Sequence, residues 1–176
     1  MRLWARILND VPGSRLLIRG APRAAQQDAT LAVLAQDGVH PDRVLLLGRL
    51  PDEQYWLAYQ GADIALDTYP YNGVTTTCES LWMELPVVTL AGHYGGARCA
   101  ASILSAAGLP ELVATSEDEY VHIAVDLARD AARLAALRAG MRRRLQHSPL
   151  MDARNFTRDL EAAYLTAWDE KVGNAQ

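Results

Sequence analysis

Cysteine is nearly absent: Cys78 and Cys99 are the two in 176 residues. They form no CxxC pair, and no histidine stands at metal-ligand spacing from them. A zinc site and a disulfide scaffold are therefore not expected, and a reducing cytoplasm suits the chain. Long hydrophobic runs are missing too. The opening MRLWARILND has no extended apolar segment, and no stretch approaches the roughly 18 apolar residues of a membrane span, so neither secretion nor a membrane partner is expected. An excess of positive charge is lacking: 17 Lys and Arg against 21 Asp and Glu give a formal net charge of -4, with basic and acidic residues interleaved. No broad basic surface remains to neutralise nucleic-acid phosphates. The one basic cluster, Arg142-Arg143-Arg144, lies within a helical pattern and reads as a solvated helix face. Glycine-rich phosphate signatures of the GxGxxG and GxxxxGK[ST] kinds are lacking, which leaves dinucleotide oxidoreductases and P-loop nucleotidases unsupported. Internal repeats and low-complexity tracts are also lacking.

What is present is a globular composition: 50% hydrophobic and 22% charged residues, enough apolar material for one core. Short aliphatic runs bounded by Gly, Pro and Asp predict parallel strands at Ser14 to Arg19, Arg43 to Leu47, Ala62 to Asp67 and Pro86 to Leu90, with a shorter one near Glu111 to Ala114. Helical patterns near Trp4 to Leu8, Arg23 to Asp37, Asp52 to Gln60, Thr77 to Leu85 and Ala97 to Ala107 lie between them. Right-handed crossovers then build an α/β, Rossmann-like doubly wound parallel sheet. Beyond Ala114 the pattern is wholly helical. Ser116-Glu117-Asp118-Glu119 has the form of a capping box, and Leu127, Leu134, Leu137, Leu145, Leu160, Tyr164 and Trp168 recur at helical spacings, interrupted at Ser148-Pro149. Residues 1–176 are expected to form one unit with a helical tail over about 116–172; that tail either packs on the sheet or crosses to a partner.

The chemically informative stretch is DTYPYNGVTTTCESLW, from Asp67 to Trp82, which leaves a strand, crosses a loop and enters a helix. Ligands of open parallel sheets bind beyond the carboxyl ends of the strands, where the following helix offers free backbone N–H groups and the positive end of its dipole. Gly73 allows close approach of backbone to ligand, and the hydroxyls of Thr75, Thr76 and Thr77 add donors, so a diphosphate can be held without lysine. Glu79, half a turn further on, can accept from the cis-diol of a ribose. The same residues also suit an ordinary turn and helix cap, and Asp67 suits the start of an Asx-type turn. Trp4, Trp56, Trp82 and Trp168 stand at helical positions as core or lobe-contact residues, and His40, His122 and His147 are scattered.

The run DTYPYNGVTTTCESLWMELPVVTLAG is similar to the donor-site block of the protein O-linked N-acetylglucosaminyltransferases and the related Spindly fucosyltransferases. VPGSRLLIRGAP, GVHPDRVLLLGRLPDEQY, GLPELVATSEDEYVHIAVDLARD and SPLMDARNFTRDLEAAYLTAW extend the resemblance, in order, over nearly the whole chain. It implies the C-terminal, nucleotide-sugar-binding lobe of a GT-B glycosyltransferase. On the same ground Thr75 and Thr76 hold the donor diphosphate and Glu79 the ribose. The donor implied is UDP-N-acetylglucosamine, used without a metal in an inverting transfer to protein Ser or Thr hydroxyls.

The sequence departs from the resemblance in places. Tyr55 stands where animal members have a histidine against the donor base, which makes it a base-stacking candidate. Asp52 and Ala58 replace basic residues and leave the base open. Ala97 replaces a serine before a retained Arg98, which can orient a loop or a phosphate; Arg98, Asp67 and Asn72 are further candidates. The N-terminal lobe and tetratricopeptide repeats of the family are not recognised ahead of Met1, so no catalytic acid or base is assigned and transfer by the chain alone is expected to be negligible. The expected partners are a nucleotide sugar and an acceptor protein bound through the other lobe. The alternative is a non-catalytic binding or assembly module completed by another chain. A nucleotide-sugar epimerase shares the two-lobed build, but the order of the motifs speaks against it.

Overall fold

Two aliphatic runs, Leu16–Arg19 (β1) and Val44–Leu47 (β2), pair in parallel with Leu16 opposite Val44. A second parallel set has the order β3, β4, β5, formed by Ala65–Leu66, Val87–Leu90 and Val113–Ala114. The computed structural model describes residues 1–20 and 24–173, so Arg23, the expected start of one helix, lies outside the described residues. Around the strands run α1 (Arg2–Asp10), α2 (Ala24–Gln36), α3 (Asp52–Gln60), α4 (Thr75–Trp82) and α5 (Cys99–Ala106). The tail forms α6 (Glu117–Arg129), α7 (Ala131–Gln146) and α8 (Ala153–Gly173). No helix among the described residues is long and apolar enough to cross a membrane.

Parallel order and alternating helices match the expectation, and every strand begins later than its sequence pattern. The residues ahead of β2 and β5 form short 3-10 turns, Pro41–Arg43 and Pro110–Leu112, because each opens on a proline that lacks the N–H a strand ladder needs. Among the described residues no ladder joins β1 to β3. Side chains close that seam instead, with Leu66 packed against the cluster that includes Leu16 and Leu34. A cleft of about 770 Å³ runs along it, lined by Leu16, Ile18, Tyr59, Leu66, Thr76 and Ser80.

The core is centred on β4, all four of whose residues are buried. Val87 joins Leu81, Leu104, Leu109, Leu127 and Met141 on one face, while Val88 and Leu90 join Ile7, Tyr120, Val121 and Ala124 on the other. Each such aliphatic side chain contributes about 1.5–3 kcal/mol on burial. The tail divides. Leu127 and Leu145 are buried, and Leu134 and Leu137 pack against them. Arginines pin α7 to carbonyls at the C-terminal ends of α3, α4 and α5: Arg138 to Ala62 at 2.7 Å, Arg142 to Trp82 at 2.9 Å and Arg144 to Gly108 at 2.6 Å. Two of the three arginines of the basic cluster, Arg142 and Arg144, are thus helix anchors, and Arg143 is exposed. In α8, by contrast, every described side chain from Ala153 to Val172 is exposed.

The cap of α6 differs in one partner from the expected box. Ser116 Oγ accepts from the amide of Glu119 at 3.2 Å, but Glu119 Oε2 accepts from the amide and hydroxyl of Thr115, at 2.6 and 2.7 Å, rather than closing back on Ser116. These bonds hold the Glu119 carboxyl below the usual range.

Candidate functional site

The loop between β3 and α4 is built around Asp67. Its Oδ1 accepts the Gly73 amide at 2.8 Å, its Oδ2 accepts the Thr89 hydroxyl at 2.7 Å, and its backbone carbonyl accepts the Tyr120 hydroxyl at 3.0 Å. A polar residue in the middle of buried β4, Thr89, is thereby satisfied, as buried hydroxyls must be. Burial pushes the Asp67 carboxyl above its ordinary value, against the opposing pull of the bonds from Thr89, Gly73 and Thr68. The Asx-type reading of Asp67 is close to what is seen, except that the carboxylate spans six residues, reaching Gly73, and crosses to a neighbouring strand. Asn72 is buried, 1% exposed. Its side-chain amide donates to the Thr68 carbonyl at 2.9 Å, and its backbone amide to the Gly96 carbonyl at 3.0 Å.

This scaffold delivers an uncapped helix start. The N-cap of α4 is Val74, whose side chain cannot accept a hydrogen bond, and no side-chain cap bond is made. The first-turn amides of Thr75, Thr76 and Thr77 are left for an outside acceptor. Thr75 and Thr76 are exposed and Thr77 is buried. The Thr77 hydroxyl donates to the Gly73 carbonyl at 3.0 Å, so its hydroxyl proton is already used and only its amide is available to a ligand. Gly73 is required by space: a Cβ there would collide with Thr76 Oγ1 and sit 3.0 Å from Thr77 Oγ1.

Glu79 meets α3, whose Tyr59 lines the cleft. Its Oε2 accepts from the hydroxyls of Tyr55 and, at 2.9 Å, Tyr59. Arg19, the last residue of β1, donates Nη2 to the Tyr59 hydroxyl at 3.0 Å and lies over the Tyr55 ring at 4.0 Å from its centroid. One face of Tyr55 is therefore covered, and a base stacking on that face would have to displace Arg19. Tyr59 and Arg19 were not among the sequence candidates, although two signals marked them. Tyr55 and Tyr59 are four apart, on one helix face, and Arg19 closes a strand at its carboxyl end.

Arg98 stands apart from this group. Its Nη1 donates to the Gly92 carbonyl at 2.9 Å, and it lines a separate hollow of about 480 Å³ with His93, Ser102, Ser105 and Thr115. It orients its own loop. Trp4 packs on the second face of the core and donates Nε1–H to Tyr120 at 3.2 Å, whereas Trp56, Trp82 and Trp168 are exposed. Both cysteines are free. Among the described residues no three His, Cys, Asp or Glu side chains converge as metal ligands.

Comparison with known proteins places the chain in a family. The profile of Glycosyl transferase family 41 matches residues 1–160. A Solanum lycopersicum protein, a probable UDP-N-acetylglucosamine–peptide N-acetylglucosaminyltransferase SPINDLY, is 43% identical over 171 residues, covering 96% of this chain and 18% of its own length. The Caenorhabditis elegans UDP-N-acetylglucosamine–peptide N-acetylglucosaminyltransferase is 34% identical over 166 residues, 94% of this chain and 14% of its own. A solved structure, the K341M mutant of Thermobaculum terrenum O-GlcNAc transferase, superposes with a TM-score of 0.91 at 39% identity, over 99% of this chain and 34% of that one. The chain spans about a fifth of the length of the curated relatives it matches.

Proposed function

The chain belongs to glycosyltransferase family 41, and on that footing we propose that it is the donor-binding lobe of an inverting protein O-GlcNAc transferase. The observation that carries the reading is the uncapped start of α4. The amides of Thr75, Thr76 and Thr77 and the hydroxyls of Thr75 and Thr76 bind the diphosphate of UDP-N-acetylglucosamine, and Glu79 accepts from its ribose. When the anomeric bond breaks, negative charge grows on the departing diphosphate. Amides already in place, backed by the helix dipole, stabilise that charge without reorganising, and this favours the transition state over bound donor. No metal is needed in this scheme. The acceptor Ser or Thr and its base belong to a facing lobe that closes the cleft, so the isolated chain binds donor and does not transfer it. The free cysteines accord with action in the cytoplasm.

The test is calorimetric titration of the chain with UDP, with GDP for comparison and Glu79→Ala as control, each with and without EDTA. UDP binding that survives EDTA and is weakened about tenfold or more in the variant supports the reading. Equal affinity of wild type and variant would sink the role of Glu79, and binding abolished by EDTA would sink the metal-free scheme.

One observation favours a second reading, a module completed by another chain. Phe156, Leu160, Tyr164, Trp168 and Val172 recur every four residues along α8, all exposed. An unburied apolar stripe of this kind marks a contact surface. Light scattering separates the two readings, since a strictly monomeric chain that binds UDP argues for the donor lobe and against obligate assembly.

A further inference from the structure

Glu79 enters the donor reading as the ribose acceptor, yet one of its oxygens is already engaged. Oε2 takes the hydroxyls of both Tyr55 and Tyr59, while among the described residues Oε1 takes none. The two hydroxyls also lie 3.0 Å from each other, so three oxygen contacts share two hydroxyl protons. Arg19 decides where the protons go. A guanidinium donates and cannot accept, so its Nη2, 3.0 Å from the Tyr59 oxygen, occupies a lone pair there. The Tyr59 proton is then directed to the carboxylate, the stronger acceptor because it is charged. Burial, then the bonds to Tyr55 and Glu79, push the Tyr59 hydroxyl well above the usual phenol range, so it stays a donor. Tyr59 is 5% exposed, and Arg19 stacks over its ring at 4.7 Å. The donor geometry is therefore locked from β1 through α3 to α4.

We infer that Tyr59 and Arg19 are positioning residues for ribose recognition: they pin Glu79 by one carboxylate oxygen and leave the other to accept the 2′- and 3′-hydroxyls of a nucleoside diphosphate. The inference rests on the donor-lobe reading. An unpinned glutamate would have to give up rotamer freedom on binding, and a pinned one has given it up beforehand. The consequence is selectivity for ribose over 2′-deoxyribose that depends on residues with no ligand contact of their own required.

The experiment is calorimetry on the full chain with whichever of UDP and GDP binds more tightly and with its 2′-deoxy counterpart, alongside thermal melts. Wild type is expected to prefer the ribonucleotide by about tenfold or more, the value of a hydrogen bond to a charged group. Tyr59→Phe and Arg19→Met are each expected to reduce that preference to about threefold or less, and Tyr59→Phe to change nothing further in a Glu79→Ala background. A merely structural role would weaken both nucleotides equally and leave the ratio intact. If Tyr59→Phe fails to fold, Arg19→Met decides alone. A wild-type ratio in the folded variants overturns the positioning role while the donor reading stands, provided Glu79→Ala loses the preference. If Glu79→Ala keeps the preference, the ribose role of Glu79 falls and takes this inference with it, and if neither nucleotide binds wild type, the donor reading itself falls.

Discussion

Asp67 Oδ1 holds the amide of Gly73 at 2.8 Å, and through that bond a residue at the end of β3 sets the position from which α4 starts. The neighbouring Thr89 hydroxyl, 2.7 Å from Oδ2, keeps the carboxylate from turning away. The candidate diphosphate site is consequently a property of the strand end and of the buried strand beside it, as much as of the threonines themselves.

Gly73→Ala tests the spatial argument. Its Cβ would strike Thr76 Oγ1 and press on Thr77 Oγ1 and Asp67 Oδ1 at 3.0 and 3.4 Å. Strain of about 1–3 kcal/mol is expected, a fall of about 2–10 °C in melting temperature for a chain of this size. UDP affinity should drop at least about tenfold. Calorimetry finding UDP affinity within twofold of wild type would refute the crowding account.

Asp67 gives stability a pH dependence of definite sign. Its folded-state pKa is raised from 3.8, so the folded chain keeps the proton to higher pH than the unfolded chain. The favourable contribution is complete below the unfolded value and is lost as pH rises through the folded one. The difference in stability between wild type and Asp67→Asn, from melts or denaturant titrations, should therefore decline as pH rises from about 4. A difference that is flat or grows over that range contradicts the assignment.

Tyr120 is 1% exposed and accepts from Trp4 while donating to the Asp67 carbonyl; burial raises its hydroxyl pKa well above the phenol range. Tyr120→Phe strands both partners. The expected cost is about 1–3 kcal/mol, seen as a melting temperature lower by several degrees. A loss under about 0.5 kcal/mol would mean that the two groups find other partners.

The exposed stripe on α8 predicts a separation of stability from association. Leu160→Glu with Trp168→Glu should leave the melt of the lobe within about 0.5 kcal/mol of wild type, as for other surface changes. The same variant should abolish any self-association seen by light scattering. A melt lowered by several degrees would show that α8 packs on the lobe in solution.

Local pattern was enough for several elements. The Asp52 to Gln60 helix was legible to the residue, because proline before it and an acidic first turn mark a start independently of anything distant. The strands were legible as aliphatic runs, and the late starts of β2 and β5 were not, because the 3-10 turns at Pro41 and Pro110 compete over a single turn. The helix expected from Thr77 to Leu85 runs instead from Thr75 to Trp82, and the back-bond of Thr77 to Gly73 depends on a side-chain rotamer that spacing does not reveal.

The sequence by itself determined the family, the parallel α/β order and the loop that carries the candidate site. Those follow from periodicity, turn chemistry and motif, which are written in neighbouring residues. Only the tertiary structure decided that Arg19, Tyr59 and Glu79 form one hydrogen-bonded chain, that Asp67 is a strut satisfied by Thr89 and Gly73, and that α8 lies bare while α6 and α7 pack. Each of these joins residues from separate elements, 20 to 40 positions apart in the case of Tyr59 with Glu79 and with Arg19. Which donor meets which acceptor at that separation is set by how the helices dock on the strands, and docking is fixed by the burial of apolar faces rather than by any local preference of the polar residues it brings together.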